Sequence, residues 1–294
     1  MRAGINGLTA ALVVGVVIGL ALTPDGRDWL RHPTLMLGGA ASASASPPSL
    51  AAPVESPPPA PVAAVSVTPL KARLAQGELK IGVFGDSMAD GLWAALYRDL
   101  HGEKGVTVTQ FSAVSTGLTR YDYVDIQAKT ARQLSENRVD AAVVMFGTND
   151  AQGISLDGQV HAFGTPGWKA AYGKRIDDLV GLLRARDVAV YWVGLPKMKR
   201  ASFDEKMSVI NGVARERMTA LGVPLIETTG VTADAAGEYA AYLPSANGRP
   251  QLMRANDGIH MTMAGYRRMA SPVAERLKRD AGLDVAAAQP QTTG

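Results

Sequence analysis

Ser87, His260 and Asp257 are the residues whose types and spacing could do chemistry together. Ser87 stands in FGDSMADG, residues 84–91, directly after the short apolar run that ends at Val83. A serine hydroxyl is a weak nucleophile until a base takes its proton. Histidine suits that role because its ordinary pKa lies near neutrality. The imidazole then needs an acceptor that fixes its tautomer and supports the imidazolium. Asp257 and His260 are three apart in DGIH. That spacing can set a carboxylate beside the ring and still aim the ring outward. The chemistry open to such a set is acyl transfer through a serine.

A developing oxyanion needs preformed donors, each contributing on the order of 3 kcal/mol. The candidates are the Ser87 N–H, the Gly117 N–H and the Asn149 side-chain amide. Gly117 lies in STGL (115–118) and Asn149 in FGTND (146–150). Each block alone also reads as a turn, since Gly, Asp, Asn and Ser favour turns for backbone reasons. Asp90, Arg120, Tyr121, Asp122, Asp150 and Gln152 lie beside these blocks. They would suit a sugar as substrate, and a solvated loop would carry the same residues. His161 sits in a Gly-rich stretch that could border the site, whereas His32 and His101 read as surface residues. The basic run KMKR (197–200) reads as a solvated loop rather than a rim that attracts anions.

These residues must be positioned by alternating strands and helices. Strands are expected at 81–84, 106–111, 141–146, 188–193 and 223–226. The run AAVVMF (141–146) is apolar throughout, as a parallel strand buried on both faces should be. Helices are expected at 88–100, 126–137, 168–186, 203–221 and 263–279, the last capped by Thr262. Methionines and aromatics at helical spacing in 203–221 read as core. The alternation predicts an α/β fold: a three-layer α/β/α sandwich around a parallel, flavodoxin-like sheet. In that architecture the site lies at the carboxyl ends of the strands. Ser87, Gly117, Asn149 and His260 would then meet on one rim.

The ends of the chain differ from its middle. Residues 5–23 form a run of about nineteen uncharged, mostly apolar residues after Arg2, close to the roughly twenty that span a bilayer. An uncleaved signal anchor (1–24) in the inner membrane is expected, with a cleaved signal peptide as the alternative. Residues 25–69 read as a tether, Ala-, Ser- and Pro-rich from residue 38, that cannot bury enough apolar surface to order itself. The domain is expected at 70–283 and a frayed tail at 284–294. Export to the periplasm follows from this plan.

Composition narrows the function further. The chain has no cysteine, which excludes a thiol nucleophile and a disulfide framework. Net charge is only +3 and no basic stripe appears, so nucleic acid is not an expected partner. HExxH, GxxxxGK and GxGxxG are absent, so no metal and no cofactor is expected. GxSxG is absent too, which argues against the ordinary α/β-hydrolase elbow.

The blocks GDS, the Gly117 segment, GTND and DGIH, in this order over about residues 80–270, resemble the SGNH (GDSL-like) hydrolase family. FGDSMADGLW, STGLTRYDY, YWVGLP and RANDGIHMT are similar to a bacterial subgroup of exported, tethered members. The resemblance implies Ser87 as nucleophile, His260 as base and Asp257 as its support. Gly117 and Asn149 would complete the oxyanion hole. Met88 replaces the leucine of the family's GDSL block, a swap of similar volume. The expectation is an exported esterase acting on an acylated envelope carbohydrate. An O-acyltransferase with the same triad and a non-catalytic polysaccharide-binding module are the alternatives.

Overall fold

The computed structural model describes residues 67–283. In chain order, the first half forms α1 (Leu70–Ala75), β1 (Leu79–Gly85), α2 (Ser87–Leu100), β2 (Val106–Gln110), α3 (Ile126–Glu136) and β3 (Ala141–Met145). A hairpin of β4 (Ile154–Leu156) and β5 (Gln159–His161) precedes α4 (Pro166–Arg184) and β6 (Ala189–Val193). Then come α5 (Ala201–Leu221), β7 (Leu225–Ile226) and the single turn α6 (Thr229–Thr232). A second hairpin, β8 (Tyr242–Pro244) and β9 (Pro250–Leu252), leads to α7 (Met263–Ala281).

Five strands make one parallel sheet in the order β2-β1-β3-β6-β7. Counting only these strands, this is the expected flavodoxin-like order, 2-1-3-4-5. Every residue of the central strand β3 is buried, whereas the edge strand β2 buries only Val108. The apolar run of β3 therefore packs against helices on both faces. α1, α2 and α7 cover one side of the sheet; α3, α4 and α5 cover the other.

Local sequence explains the helix starts. Asp86 caps α2 by accepting from the Met88 N–H at 2.9 Å. Thr165 caps α4, which has Pro166 in its first turn and so starts two residues before the expected Trp168. Thr262 caps α7 by accepting from Gly265 N–H, as expected. Leu92, Ala95, Leu96 and Leu100 of α2 face the core with Met269, Ala270 and Val273 of α7.

Some elements differ from expectation. α1, α6 and both hairpins carry no strong period and are not among the expected elements. His161 lies on β5, half-buried, rather than in a loop. Thr68 belongs to the fold: its N–H and hydroxyl both donate to the Asp187 carboxylate at 2.8 Å. The expected anchor and tail, and the expected tether up to residue 66, lie outside the described residues. No helix among the described residues is long and apolar enough to cross a membrane.

Candidate active site

Ser87 is the first residue of α2, just beyond the carboxyl end of β1. β1 lies between β2 and β3, where the order of parallel strands reverses. Crevices at such reversals are where open α/β sheets hold ligands. The helix start also leaves the Ser87 N–H without an intrahelical acceptor.

The structure brings Ser87, His260 and Asp257 together. The Ser87 hydroxyl lies 2.8 Å from His260 Nε2. His260 Nδ1 lies 2.6 Å from Asp257 Oδ2. We assign the tautomer in which Nδ1–H donates to Asp257, so that Nε2 can accept from the serine. Asp257 Oδ1 accepts from the Ile259 N–H at 2.9 Å and the His260 N–H at 3.0 Å. One carboxylate thus holds both the ring and the backbone that carries it. Desolvation works against ionising Asp257, yet the hydrogen bonds from the ring and the two amides outweigh it and hold the carboxyl below its usual range. The pair is open to water, with the His260 side chain 38% and the Asp257 side chain 46% exposed.

The GDS and GTND blocks are tied through Asp86, a residue whose sequence context suggested only a turn. Its Oδ2 accepts from the Thr148 hydroxyl at 2.7 Å, the Thr148 N–H at 3.1 Å and the Gly147 N–H at 3.2 Å. Burial raises its carboxyl to about 6, and these hydrogen bonds oppose the rise. Asp86 therefore sets the Ser87 turn against the loop that carries Asn149. The readable signal was an acid immediately before a helix start.

Asn149 and Gly117 meet on the same side. The Asn149 amide donates one hydrogen to Thr116 O at 2.9 Å, which leaves its second N–H free. Gly117 is buried against Asp150: a Cβ there would sit 2.3 Å from Asp150 Oδ1. The loop thus needs glycine because a buried carboxylate crowds it, a reason the sequence did not disclose.

The residues expected to line the rim divide. Asp150 is fully buried and cannot touch substrate as expected. Its Oδ1 accepts from Thr119 N–H and hydroxyl, both at 2.9 Å, and its Oδ2 accepts from Tyr172 OH at 2.9 Å. Burial raises its carboxyl, partly offset by these donors. Its polar type reflects support of the Gly117 loop. Asp90 is half-buried and accepts from Gln110 and from Ser112, the latter at 2.7 Å. Arg120 donates to Ser115 O at 2.7 Å and lies over the Tyr123 ring. Gln152 is exposed and reaches Thr119 Oγ1 at 3.3 Å. Lys197 of the KMKR run pairs with Asp204 at 3.0 Å, so its charge is met within the chain.

A parallel sheet in this order, with a serine opening the helix after β1, is the three-layer α/β/α fold of the SGNH (GDSL-like) hydrolases. Two of the solved structures that share it illustrate the likeness. One is LAE5, an alpha/beta hydrolase enzyme from the metagenome of Lake Arreo, Spain, at TM-score 0.51 and 18% identity; 70% of this chain and 96% of that chain are covered. The other is a G-D-S-L family protein from Desulfitobacterium hafniense DCB-2, at TM-score 0.50 and 12% identity; 68% of this chain and 99% of that chain are covered. At these identities the likeness is one of fold. Residues 80–276 match the family DUF459, described as "Protein of unknown function", and the chain belongs to that family. No curated protein matches it.

Proposed function

We propose that this protein is an exported serine esterase that hydrolyses short acyl esters, O-acetyl in type, on envelope carbohydrate. The observation that carries the reading is the continuous hydrogen-bonded path from Ser87 through His260 to Asp257, at 2.8 and 2.6 Å. In this mechanism Ser87 Oγ attacks the acyl carbonyl carbon while its proton passes to His260 Nε2. Asp257 supports the resulting imidazolium through Nδ1–H. The Ser87 and Gly117 N–H groups and the free Asn149 N–H stabilise the oxyanion. Collapse of the tetrahedral intermediate expels the sugar alkoxide, which takes the proton back from His260. Water then attacks the acyl-enzyme, again giving up its proton to His260. The carboxylic acid leaves and Ser87 is restored.

The openness of the His260–Asp257 pair favours an ester displayed on a large carbohydrate over one that must enter a deep cavity. Residues 5–23 and the Ala/Ser/Pro-rich stretch support placement of the domain in the periplasm on an inner-membrane tether.

The test is acid release from a panel of acylated sugars by the purified domain, with Ser87→Ala as control. Mass spectrometry on reactions supplied with a sugar acceptor separates the outcomes. Acylated acceptor in place of free acid would assign transfer rather than hydrolysis. A wild type as inert as Ser87→Ala would favour a binding module.

A further inference from the structure

The turn that carries Asp257 and His260 is anchored from beneath by a cation. Arg254 is 1% exposed, one of the largest fully buried side chains in the fold. Its Nη2 donates to Ile259 O at 3.0 Å and Gly258 O at 3.4 Å, and touches Met198 Sδ at 3.6 Å. The guanidinium lies 4.9 Å from the centre of the Tyr239 ring. Among the described residues it makes no ion pair, and its Nε and Nη1 have no hydrogen-bond partner.

That is an expensive arrangement for mere stability. A guanidinium stays charged in proteins, and a buried charge without an anion is unfavourable. Replacing it by an apolar side chain of similar length removes the unpaired donors as well as the charge. The carbonyls it donates to both lie on one turn. Ala255 N–H donates to His260 O at 2.9 Å, and residues 254 and 261 bridge in antiparallel fashion, closing the loop at its base. Inside the loop, the peptide unit between Ile259 and His260 is held at both ends. Its carbonyl is bonded by Arg254 and its N–H by Asp257 Oδ1. The orientation of that peptide directs the Cα–Cβ bond of His260, and so the reach of Nε2 to Ser87.

We infer that Arg254 is a positioning residue of the proposed hydrolase: it fixes the Ile259–His260 peptide so that His260 faces Ser87, and the fold keeps it for this and not for stability. The inference rests on the esterase reading for its kinetic consequence, but its geometric content does not.

Arg254→Met tests it, read in three ways on the purified chain. The first is kcat and KM for a small acetyl ester. The second is the low-field proton resonance of His260 Nδ1–H in its bond to Asp257. The third is the thermal midpoint. The expected result is a kcat about a hundredfold lower with KM unchanged, as displacement by an ångström can produce. The low-field proton should be lost and the midpoint should be equal or higher. Arg254→Lys, which can still reach one carbonyl, should recover part of kcat. A folded Arg254→Met with wild-type kcat and an intact low-field proton would overturn the inference. If wild type itself hydrolyses nothing, the esterase reading fails and the proton resonance alone decides the role of Arg254. If Arg254→Met does not fold, Arg254 is kept for stability and the inference is overturned.

Discussion

The hydroxyl of Thr148 donates to the buried carboxylate of Asp86 at 2.7 Å, joining the loop after β3 to the start of α2. Through this bond the residue before Ser87 and the residue before Asn149 are held together. Ser87 and Asn149, the proposed nucleophile and oxyanion donor, are therefore spaced by one hydrogen-bonded carboxylate, although they lie on different crossovers.

Thr148→Val removes that hydroxyl and keeps the side chain's shape. Asp86 then loses one of its donors while it stays buried. A hydrogen bond to a charged acceptor contributes about 1.5–3 kcal/mol, and a loss in that range is expected in urea denaturation at neutral pH. Turnover per folded molecule should fall too, because the Asn149 loop is freed. Unchanged stability would mean that water replaces the hydroxyl without cost.

The same carboxyl has a pH signature. Its value is about 6 in the fold against 3.8 when exposed. Between those values the folded chain binds more protons than the unfolded chain, so the Asp86 contribution falls as pH rises through the window. The difference amounts to about 3 kcal/mol. Relative to wild type, Asp86→Asn should therefore gain by about that amount between pH 4 and pH 7. Its absolute stability will also reflect the amide placed among three N–H groups, those of Met88, Gly147 and Thr148. Chemical denaturation of both proteins across the range reads the difference, and parallel pH curves would show that Asp86 ionises normally.

Asp257 behaves in the opposite sense. Its carboxyl is held below the usual range, so its bond to His260 is present above about pH 4 and is lost as pH falls through the lowered value. Asp257→Asn puts an amide where Nδ1–H needs an acceptor, favouring the wrong ring tautomer. A kcat about 10⁴-fold lower is expected, with the fold intact by circular dichroism. A loss of less than tenfold would mean that His260 does not depend on Asp257.

Asn149→Ala should lower kcat by about 10²–10³-fold with little change in KM, because its free N–H is used only once an oxyanion forms. Gly117→Ala acts differently. Its methyl would meet the Asp150 carboxylate, so both stability and kcat should fall. Measuring kcat and the urea midpoint for both variants separates a lost donor from a displaced loop. A urea midpoint for Gly117→Ala equal to that of wild type would refute the crowding by Asp150.

Much of this was legible because local and global signals agreed. The strands and the long helices alternate, so sheet type followed; the strand order came from the preference for right-handed crossovers and not from the alternation; and the four blocks fell on the carboxyl rim. The hairpins did not follow, because strands of three residues such as β4 and β9 show no period. Asp150 is expected on the rim and lies buried instead, because a polar residue after a strand looks the same whether it faces water or Tyr172 on a distant helix. Arg254 opens the RANDGIHMT block, but its burial gave no signal, since an arginine in a loop ordinarily implies solvent. Burial of either side chain is decided by segments far away in the chain, beyond the reach of local patterns.

Gly91 tests the packing that supports the serine from behind. It lies on α2, one turn after Ser87, and a Cβ there would sit 2.1 Å from the Tyr266 ring on α7. The Tyr266 hydroxyl also lies 3.6 Å from Met88 Sδ, so the ring has partners on two sides. Moving it would disturb the methionine next to Ser87, and keeping it would push α2 from α7. Gly91→Ala gains intrinsic helix propensity of about 1 kcal/mol, while overpacking costs about 1–3 kcal/mol. A net loss of stability is expected, with reduced reactivity of Ser87 toward a fluorophosphonate probe. Gly91→Ala combined with Tyr266→Phe should recover little, because the clash is with the ring and not with its hydroxyl. Tyr266→Leu, by removing the ring, should relieve it. If Gly91→Ala alone is more stable than wild type, the helices can separate freely and the close approach has no energetic consequence.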